Sequence, residues 1–277
     1  MSLQEGVDNN SLLHEAIDKG INFFDTADLY NKGENEIAVG NALKEKRKDL
    51  IIATKVGNQW KADGSGWDWN PTKAYILEAV NESLRRLQTD YIDLYQLHGG
   101  TMEDNIDETI DAFKTLQKLG KIRHYGISSI RPNVIRAYAS RLDIASVMMQ
   151  YSLLDRRPEE SCFQLLADRK IGVLARGSLA SGLLVNKPPK AYLNYNEEMV
   201  SVAATAIKKA AANNCDATQT ALQFALQPAA VSCAVVGIRT KEQLHEAVKV
   251  FNCSALSNDT LENLRQSIPL NYYTQHR

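Results

Sequence analysis

The chain patterns as an α/β protein built as a (β/α)8 TIM barrel, on three observations. Short apolar, β-branched runs alternate with longer amphipathic stretches through all 277 residues. The runs are continuous rather than alternating, which suits strands buried on both faces, paired in parallel, with helices outside. They recur about every thirty residues, and polar or charged groups stand at several of their exits, as in a barrel whose chemistry gathers at one end. A doubly wound sheet would need a G-x-G-x-x-G turn after an early strand, and none is present.

Strands are expected at 21–26, 50–55, 92–97, 122–128, 145–150, 171–176 and 232–237. Helices are expected over 9–19, 34–45, 72–88, 105–119, 131–140, 159–169 and 240–251, with a double-helical stretch across 197–227 and a last helix over 257–267. Asn70-Pro71 and Arg131-Pro132 read as helix openings with proline in the first turn. Ser257 reads as an N-cap, and Gly20 and Gly120 as glycines that end helices. Seven strands leave an eight-stranded barrel one short. The remaining strand would precede Asn9, where Met1-Ser2-Leu3-Gln4-Glu5-Gly6 is too short and polar to form it. The expectation is one barrel domain over 1–277, short at its N-terminus, with its first strand missing through a late start, a truncated chain or a real loss.

Apolar content of 44% and charged content of 23% suit a globular chain, and a net charge of −1 gives no reason to expect nucleic acid or an anionic membrane as partner. No run nears the ~20 apolar residues of a membrane span, and no signal segment opens the chain. Lys44-Glu45-Lys46-Arg47-Lys48 reads as a solvated helix end. Cys162, Cys215, Cys233 and Cys253 lack metal-ligand or redox-pair spacing; they read as reduced thiols in small core positions, which suggests a cytoplasmic protein.

Asp25, Tyr30, Lys55 and His98 stand at or just past the downstream ends of INFFDTADLY, LIIATKVG and YIDLYQLHGG. Burying an unpaired charge is costly, so several strands ending this way implies that their ends meet. A phenol is a weak acid at neutral pH unless a cation stabilises the phenolate. Lys55 offers the cation, Asp25 its counter-ion, and His98 a polar contact that could orient a carbonyl oxygen. The set suits protonating an oxygen and contains no activated nucleophile. Singly, each residue has a plainer role as a turn residue, loop aromatic, solvated lysine or turn opener; the combination carries the reading.

DTADLY, ATKVG, the run Asp90–His98, GISSI, MMQYSLLDRR and LASGLL, in this order, resemble the aldo-keto reductase superfamily over about residues 9–267. The resemblance implies a barrel that reduces aldehydes or ketones with NADPH, without metal or flavin. It implies Tyr30 as general acid, Lys55 as the cation that strengthens it, Asp25 as the partner of Lys55 and His98 as the residue that positions the carbonyl. Ser128 and Gln150 match residues that hydrogen-bond the nicotinamide carboxamide; Ser129 stands where the family usually has Asn. Arg176 replaces a stacking aromatic, and its planar guanidinium can also stack. Leu179, Ser181 and Gly182 match the pyrophosphate loop, and Gly237, Arg239, Gln243 and Glu246 the adenosine-phosphate segment. Arg239 could hold a 2′-phosphate bidentately, favouring NADPH with NADH possible, although the family's usual Lys is absent and Ala247 occupies a usual Asn position.

Trp60, Trp67 and Trp69 lie in a polar loop that is expected to wall or cover a small carbonyl substrate, and the tail Tyr272–Arg277 is expected near the same mouth. The implied protein is an NADP-dependent oxidoreductase, monomeric or weakly homo-oligomeric. A nicotinamide-binding regulatory or sensor module with little activity is the alternative, motivated by the missing strand. A phosphate-binding barrel isomerase or lyase is a weaker third reading.

Overall fold

The computed structural model of the chain describes residues 9–141, 143–211 and 215–277. The described residues fall into two compact units, one running to Val147 and including Ile238–Lys241, the other comprising Met148–Gly237 and Glu242–Arg277. In the first, α1 (Asn9–Asp18) leads to β1 (Phe23–Asp25), a helical turn at Tyr30–Gly33, α2 (Glu34–Leu43) and β2 (Ile51–Val56). A small hairpin of β3 (Asn58–Trp60) and β4 (Trp67–Trp69) follows, then α3 (Lys73–Leu87), β5 (Ile92–Leu97), α4 (Ile106–Lys118), β6 (Ile122–Ser128) and α5 (Pro132–Arg141). Strand β7 (Ser146–Gln150) carries the chain into the second unit, which holds α6 (Cys162–Asp168), β8 (Gly172–Arg176), α7 (Glu197–Ala210), α8 (Ala217–Leu226), β9 (Val231–Val235), α9 (Lys241–Val248) and α10 (Asn258–Gln266).

Outside the hairpin, spatial strand order follows chain order, β1-β2-β5-β6-β7-β8-β9. The pairs β1–β2, β2–β5, β5–β6 and β8–β9 are all parallel. This is the architecture of the (β/α)8 class, with each expected strand present. The position of an eighth strand, ahead of Asn9, lies outside the described residues.

All six residues of β5 are buried, as a strand covered on both faces requires. The apolar fill of the first unit is anchored by Phe113, which meets Tyr95 edge-on at 5.9 Å and stacks on Tyr125 at 5.6 Å. In the second unit Tyr151 stacks on Phe224 at 5.9 Å and meets Phe163 at 4.8 Å. Helix punctuation follows the expected chemistry in most places. Pro132 opens α5, the Ser257 side chain accepts the Thr260 N–H at the start of α10, and Gly20 and Gly120 take positive φ just past α1 and α4. No helix among the described residues is long and apolar enough to cross a membrane.

Four sequence expectations need correction. Pro71 does not open α3: the Asn70 side chain accepts from both the N–H and the hydroxyl of Thr72, and Thr72 is the N-cap, its hydroxyl accepting from Tyr75 N–H. That local turn delays the helix to Lys73. The stretch expected as a tryptophan loop is instead the antiparallel hairpin, with Asn58 opposite Trp69 and Trp60 opposite Trp67. Arg47 is not a solvated helix end but is buried: it pairs with Asp93 at 2.7 Å, donates to the Leu50 and Tyr91 carbonyls and lies 4.0 Å from the Tyr91 ring centroid. Asp93, on the outward side of β5, needs a counter-charge, and Arg47 supplies it.

The fourth concerns the cysteines. Cys215 and Cys253 form a disulfide that joins the residue before the α8 N-cap to the segment after α9, 38 positions on. Sequence spacing hid the pair because helix packing, not local sequence, brings the two sulfurs together. The reading of those two thiols as reduced core residues, and the compartment inferred from it, lose their basis; Cys162 does sit in the core.

Candidate active site

Strand geometry assembles the first four candidates within the first unit. Asp25 ends β1 opposite Ala53 on β2, and Lys55 lies two residues further along β2. Lys55 in turn pairs in register with Gln96 on β5, and His98 lies two residues beyond that. Steps of two keep side chains on one face of a pleated strand, so Asp25, Lys55 and His98 climb the same side of neighbouring strands. Tyr30 comes from the turn after β1.

The Lys55 ammonium is fully buried and donates to Asp25 Oδ2 and to the Thr26 carbonyl, both at 2.6 Å. Gln96 Nε2 reaches the other Asp25 oxygen at 3.4 Å. A buried cation with an anionic partner and a backbone acceptor is compensated as such a charge must be. Its Nζ lies 4.9 Å from the Tyr30 ring centroid. The His98 ring meets Tyr30 edge-on, centroids 5.8 Å apart and planes at 83°. His98 is fixed through its backbone, its N–H donating to the Val56 carbonyl and its own carbonyl accepting from Asn58 Nδ2 at 3.1 Å. Tyr30 and His98 remain half-buried while Lys55 is sealed, so phenol and imidazole are the groups a small molecule can reach.

Beneath the Tyr30 turn lies a second polar layer. Glu36 is fully buried, accepts the Thr54 hydroxyl at 2.6 Å and pairs with Arg86 at 2.6 Å. Asp28, two residues before Tyr30, has its pKa pushed up to about 8, by burial first and the Glu36 carboxylate second, against the Leu29 N–H, Arg86 and Lys55. The Asp28 acid is therefore largely neutral at pH 7.

The hairpin packs beside this group. The Trp69 ring lies against Gly57 and Gly99, where a side-chain carbon on Gly57 would come within 2.6 Å of it, and its Nε1 donates to Asp104 at 2.8 Å. Lys32, two residues after Tyr30, holds its ammonium 5.3 Å from the Trp60 ring centroid and 3.4 Å from the Gly64 carbonyl at the hairpin tip. Trp67 is largely exposed.

The remaining candidates divide. Ser128 ends β6, and the Ser129 hydroxyl accepts the Arg131 N–H, a turn-capping contact. In the second unit Gln150 ends β7 and donates to the Tyr192 hydroxyl at 3.2 Å, and Arg176 ends β8. Tyr192 is held protonated by burial and by Asp155, against Gln150 and Arg176. Past Arg176, Leu179 precedes three consecutive left-handed residues, Ala180, Ser181 and Gly182, with Ser181 exposed. Two backbone N–H groups of this turn are spent within it, Ala180 donating to the Gly177 carbonyl and Gly182 to the Leu179 carbonyl, both at 2.8 Å. Gly237, Arg239 and Gln243 are exposed, whereas Glu246 is engaged by Lys249 at 2.6 Å and its carbonyl by Gln219. The tail does not hang free: Tyr273 is buried under Arg157, 4.8 Å from its ring centroid, and Arg277 pairs with Glu160, beyond the downstream end of β7.

Sequence reading missed Thr26, Gln96, Asn58, Tyr192 and Lys32. The first two flank recognised positions but act through a carbonyl and a neutral amide, which carry no charge signal. Tyr192 and Lys32 lie in loops with no periodicity.

A parallel barrel-class sheet thus carries a buried Lys–Asp pair beneath an accessible Tyr and His. Comparison with known proteins makes this specific. The model of the "Aldo/keto reductase family" matches residues 5–269, and the chain belongs to that family. It is 48% identical over 276 residues to the Bacillus subtilis protein "Uncharacterized oxidoreductase YqkF", covering 96% of this chain and 90% of that one. Among solved structures, the holo form of aldo-keto reductase AKR11C1 from Bacillus halodurans superposes with a TM-score of 0.92 at 45% identity, covering 98% of this chain and 92% of that one. The Escherichia coli "NADH-specific methylglyoxal reductase" is 34% identical over 186 residues, 63% of this chain and 57% of that one.

Proposed function

We propose that this aldo/keto reductase acts as a single domain, reducing small aldehydes or ketones with NADPH. The observation that carries the reading is the placement of the sealed Lys55 ammonium between Asp25 and the Tyr30 ring, with His98 edge-on to that ring. A bound reduced nicotinamide supplies the hydride for the carbonyl carbon. The chain's own residues do the rest. Tyr30 donates its phenolic proton to the carbonyl oxygen as negative charge develops there, and the neighbouring cation stabilises the phenolate left behind. Asp25 and the Thr26 carbonyl accept from the Lys55 ammonium and hold it in place. His98 orients the carbonyl, and the Trp69 and Trp60 rings of the hairpin exclude water from that side.

The cofactor is proposed to be held by Ser128, Ser129 and Gln150 at its carboxamide, Arg176 against its ring, the Leu179–Ser181–Gly182 loop at its pyrophosphate, and Gly237, Arg239, Gln243 and Glu246 at its adenosine end. The exposure of Ser181, Arg239 and Gln243 supports this assignment. Arg239 favours NADPH through its fit to a 2′-phosphate; the NADH-specific relative is the reason to measure both cofactors.

The test is titration with NADPH and NADH, followed by initial rates on a panel of aldehydes and ketones. Carbonyl-dependent cofactor oxidation with NADPH preferred is the expected result, with Arg239→Ala raising KM for NADPH and leaving that for NADH unchanged. Tight cofactor binding with no oxidation across the panel would favour the sensor reading instead.

A further inference from the structure

Tyr30 works only if its ring stays where Lys55 can act on it, yet the turn that carries it is costly. Asn31, Lys32 and Gly33 follow it with φ of 49°, 53° and 90°. Left-handed backbone at non-glycine residues is unfavourable and persists where its surroundings over-determine it. One element reaching this turn is Arg86 from α3. Its side chain lies so close to Gly33 that a Cβ there would come within 2.7 Å of Arg86 Cδ. Its Nε donates to Glu36 Oε2 at 2.6 Å, and Glu36 Oε1 accepts the Thr54 hydroxyl at 2.6 Å.

Thr54 is the residue next to Lys55 on β2. Alternation turns their side chains to opposite faces, Lys55 toward Asp25 and Thr54 toward α2. A continuous chain of contacts therefore runs from the strand that carries Lys55, through Thr54, Glu36 and Arg86, to the turn that carries Tyr30. Buried ion pairs often add little net stability against an apolar pair of similar size, so a positional role is the one to test for this pair.

We propose that Glu36 and Arg86 are positioning residues for catalysis, a buried clamp that sets the distance between the Tyr30 ring and the Lys55 ammonium. The clamp touches neither carbonyl nor cofactor. It rests on the reading of Tyr30 as general acid, and Tyr30→Phe is assayed alongside it to separate the two.

The experiment compares kcat, KM for a turned-over aldehyde and NADPH Kd in Glu36→Gln, Arg86→Lys and the neutral double variant Glu36→Gln/Arg86→Met, with melting temperatures for each. Glu36→Gln is expected to lower kcat about tenfold while KM and cofactor Kd stay within about twofold, the signature of a misplaced catalytic group rather than lost binding. Arg86→Lys, whose ammonium still reaches Glu36, is expected to retain most of kcat. The double variant removes the buried charges together, so it is expected to fold and to stay as slow as Glu36→Gln. A folded double variant with wild-type kcat, or a Glu36→Gln whose only change is a lower melting temperature, overturns the clamp. Full activity in Tyr30→Phe overturns the acid assignment and the clamp with it. An inactive Tyr30→Phe beside a fully active Glu36→Gln overturns the clamp alone.

Discussion

Lys55 is the residue on which the site turns, because a fully buried ammonium is tolerable only with its partners in place. The sequence revealed it because a lysine at the end of a β-branched run has no cheap alternative once that run is a central strand. Asp28 carried no such signal, since an aspartate in a turn is ordinary, and only the structure buries it where the charges of Glu36, Arg86 and Lys55 act on it. Its folded pKa, about 8, lies above the ordinary aspartate value of 3.8. Between those values the folded protein holds a proton that the unfolded chain has released, so stability falls as pH rises through this window and levels off above it. Asp28→Asn is expected to flatten that slope and to raise stability at pH 8, as read by urea unfolding at pH 5, 6.5 and 8. An unchanged slope would mean that Asp28 is ionised in the fold.

Elements were read best where periodicity was strong. Strands β5 and β6 fall at their expected bounds, 92–97 and 122–128, because an apolar run closed by a polar turn admits little slippage. The β3–β4 hairpin was missed because Asn58-Gln59-Trp60 and Trp67-Asp68-Trp69 are three-residue strands of mixed polarity, too short for any period to show. It is held at its base by Trp69 over Gly57, whose φ of +121° and close ring contact leave no room for a side chain. Gly57→Ala is expected to displace Trp69, cost about 1–3 kcal/mol and raise KM for the carbonyl while NADPH binding is kept. Unchanged aldehyde kinetics in a folded variant would remove the hairpin from the substrate wall.

The Cys215–Cys253 bridge was illegible for a different reason. Its partners stand 38 residues apart and meet only after α8 and α9 have packed. Both are partly exposed, so a dithiol reductant reaches them. Closing a loop of that length restricts the unfolded chain by about 2–4 kcal/mol. Reduction is expected to lower the melting temperature of the wild type and leave a Cys215→Ser/Cys253→Ser variant unmoved. Equal melting temperatures with and without reductant would show that the thiols are unpaired in solution.

At the scale of the whole molecule, the barrel class, the family and the four strand-end residues were readable from residues alone, because six ordered motifs leave few architectures that satisfy them all. The second polar layer of Asp28, Glu36, Thr54 and Arg86 was not, since buried networks join residues with no fixed spacing. The residues proposed to set cofactor preference, Arg239 and Gln243, are exposed, and composition constrains such positions little.

Whether Tyr30 delivers the proton is decided most directly by Tyr30→Phe, which deletes one hydroxyl and keeps the ring that packs against Lys55 and His98. Turnover of an aldehyde should fall about 10²–10⁴-fold, while NADPH still quenches tryptophan fluorescence with unchanged affinity. Turnover near the wild-type rate in that variant, with cofactor bound, would contradict the assignment outright.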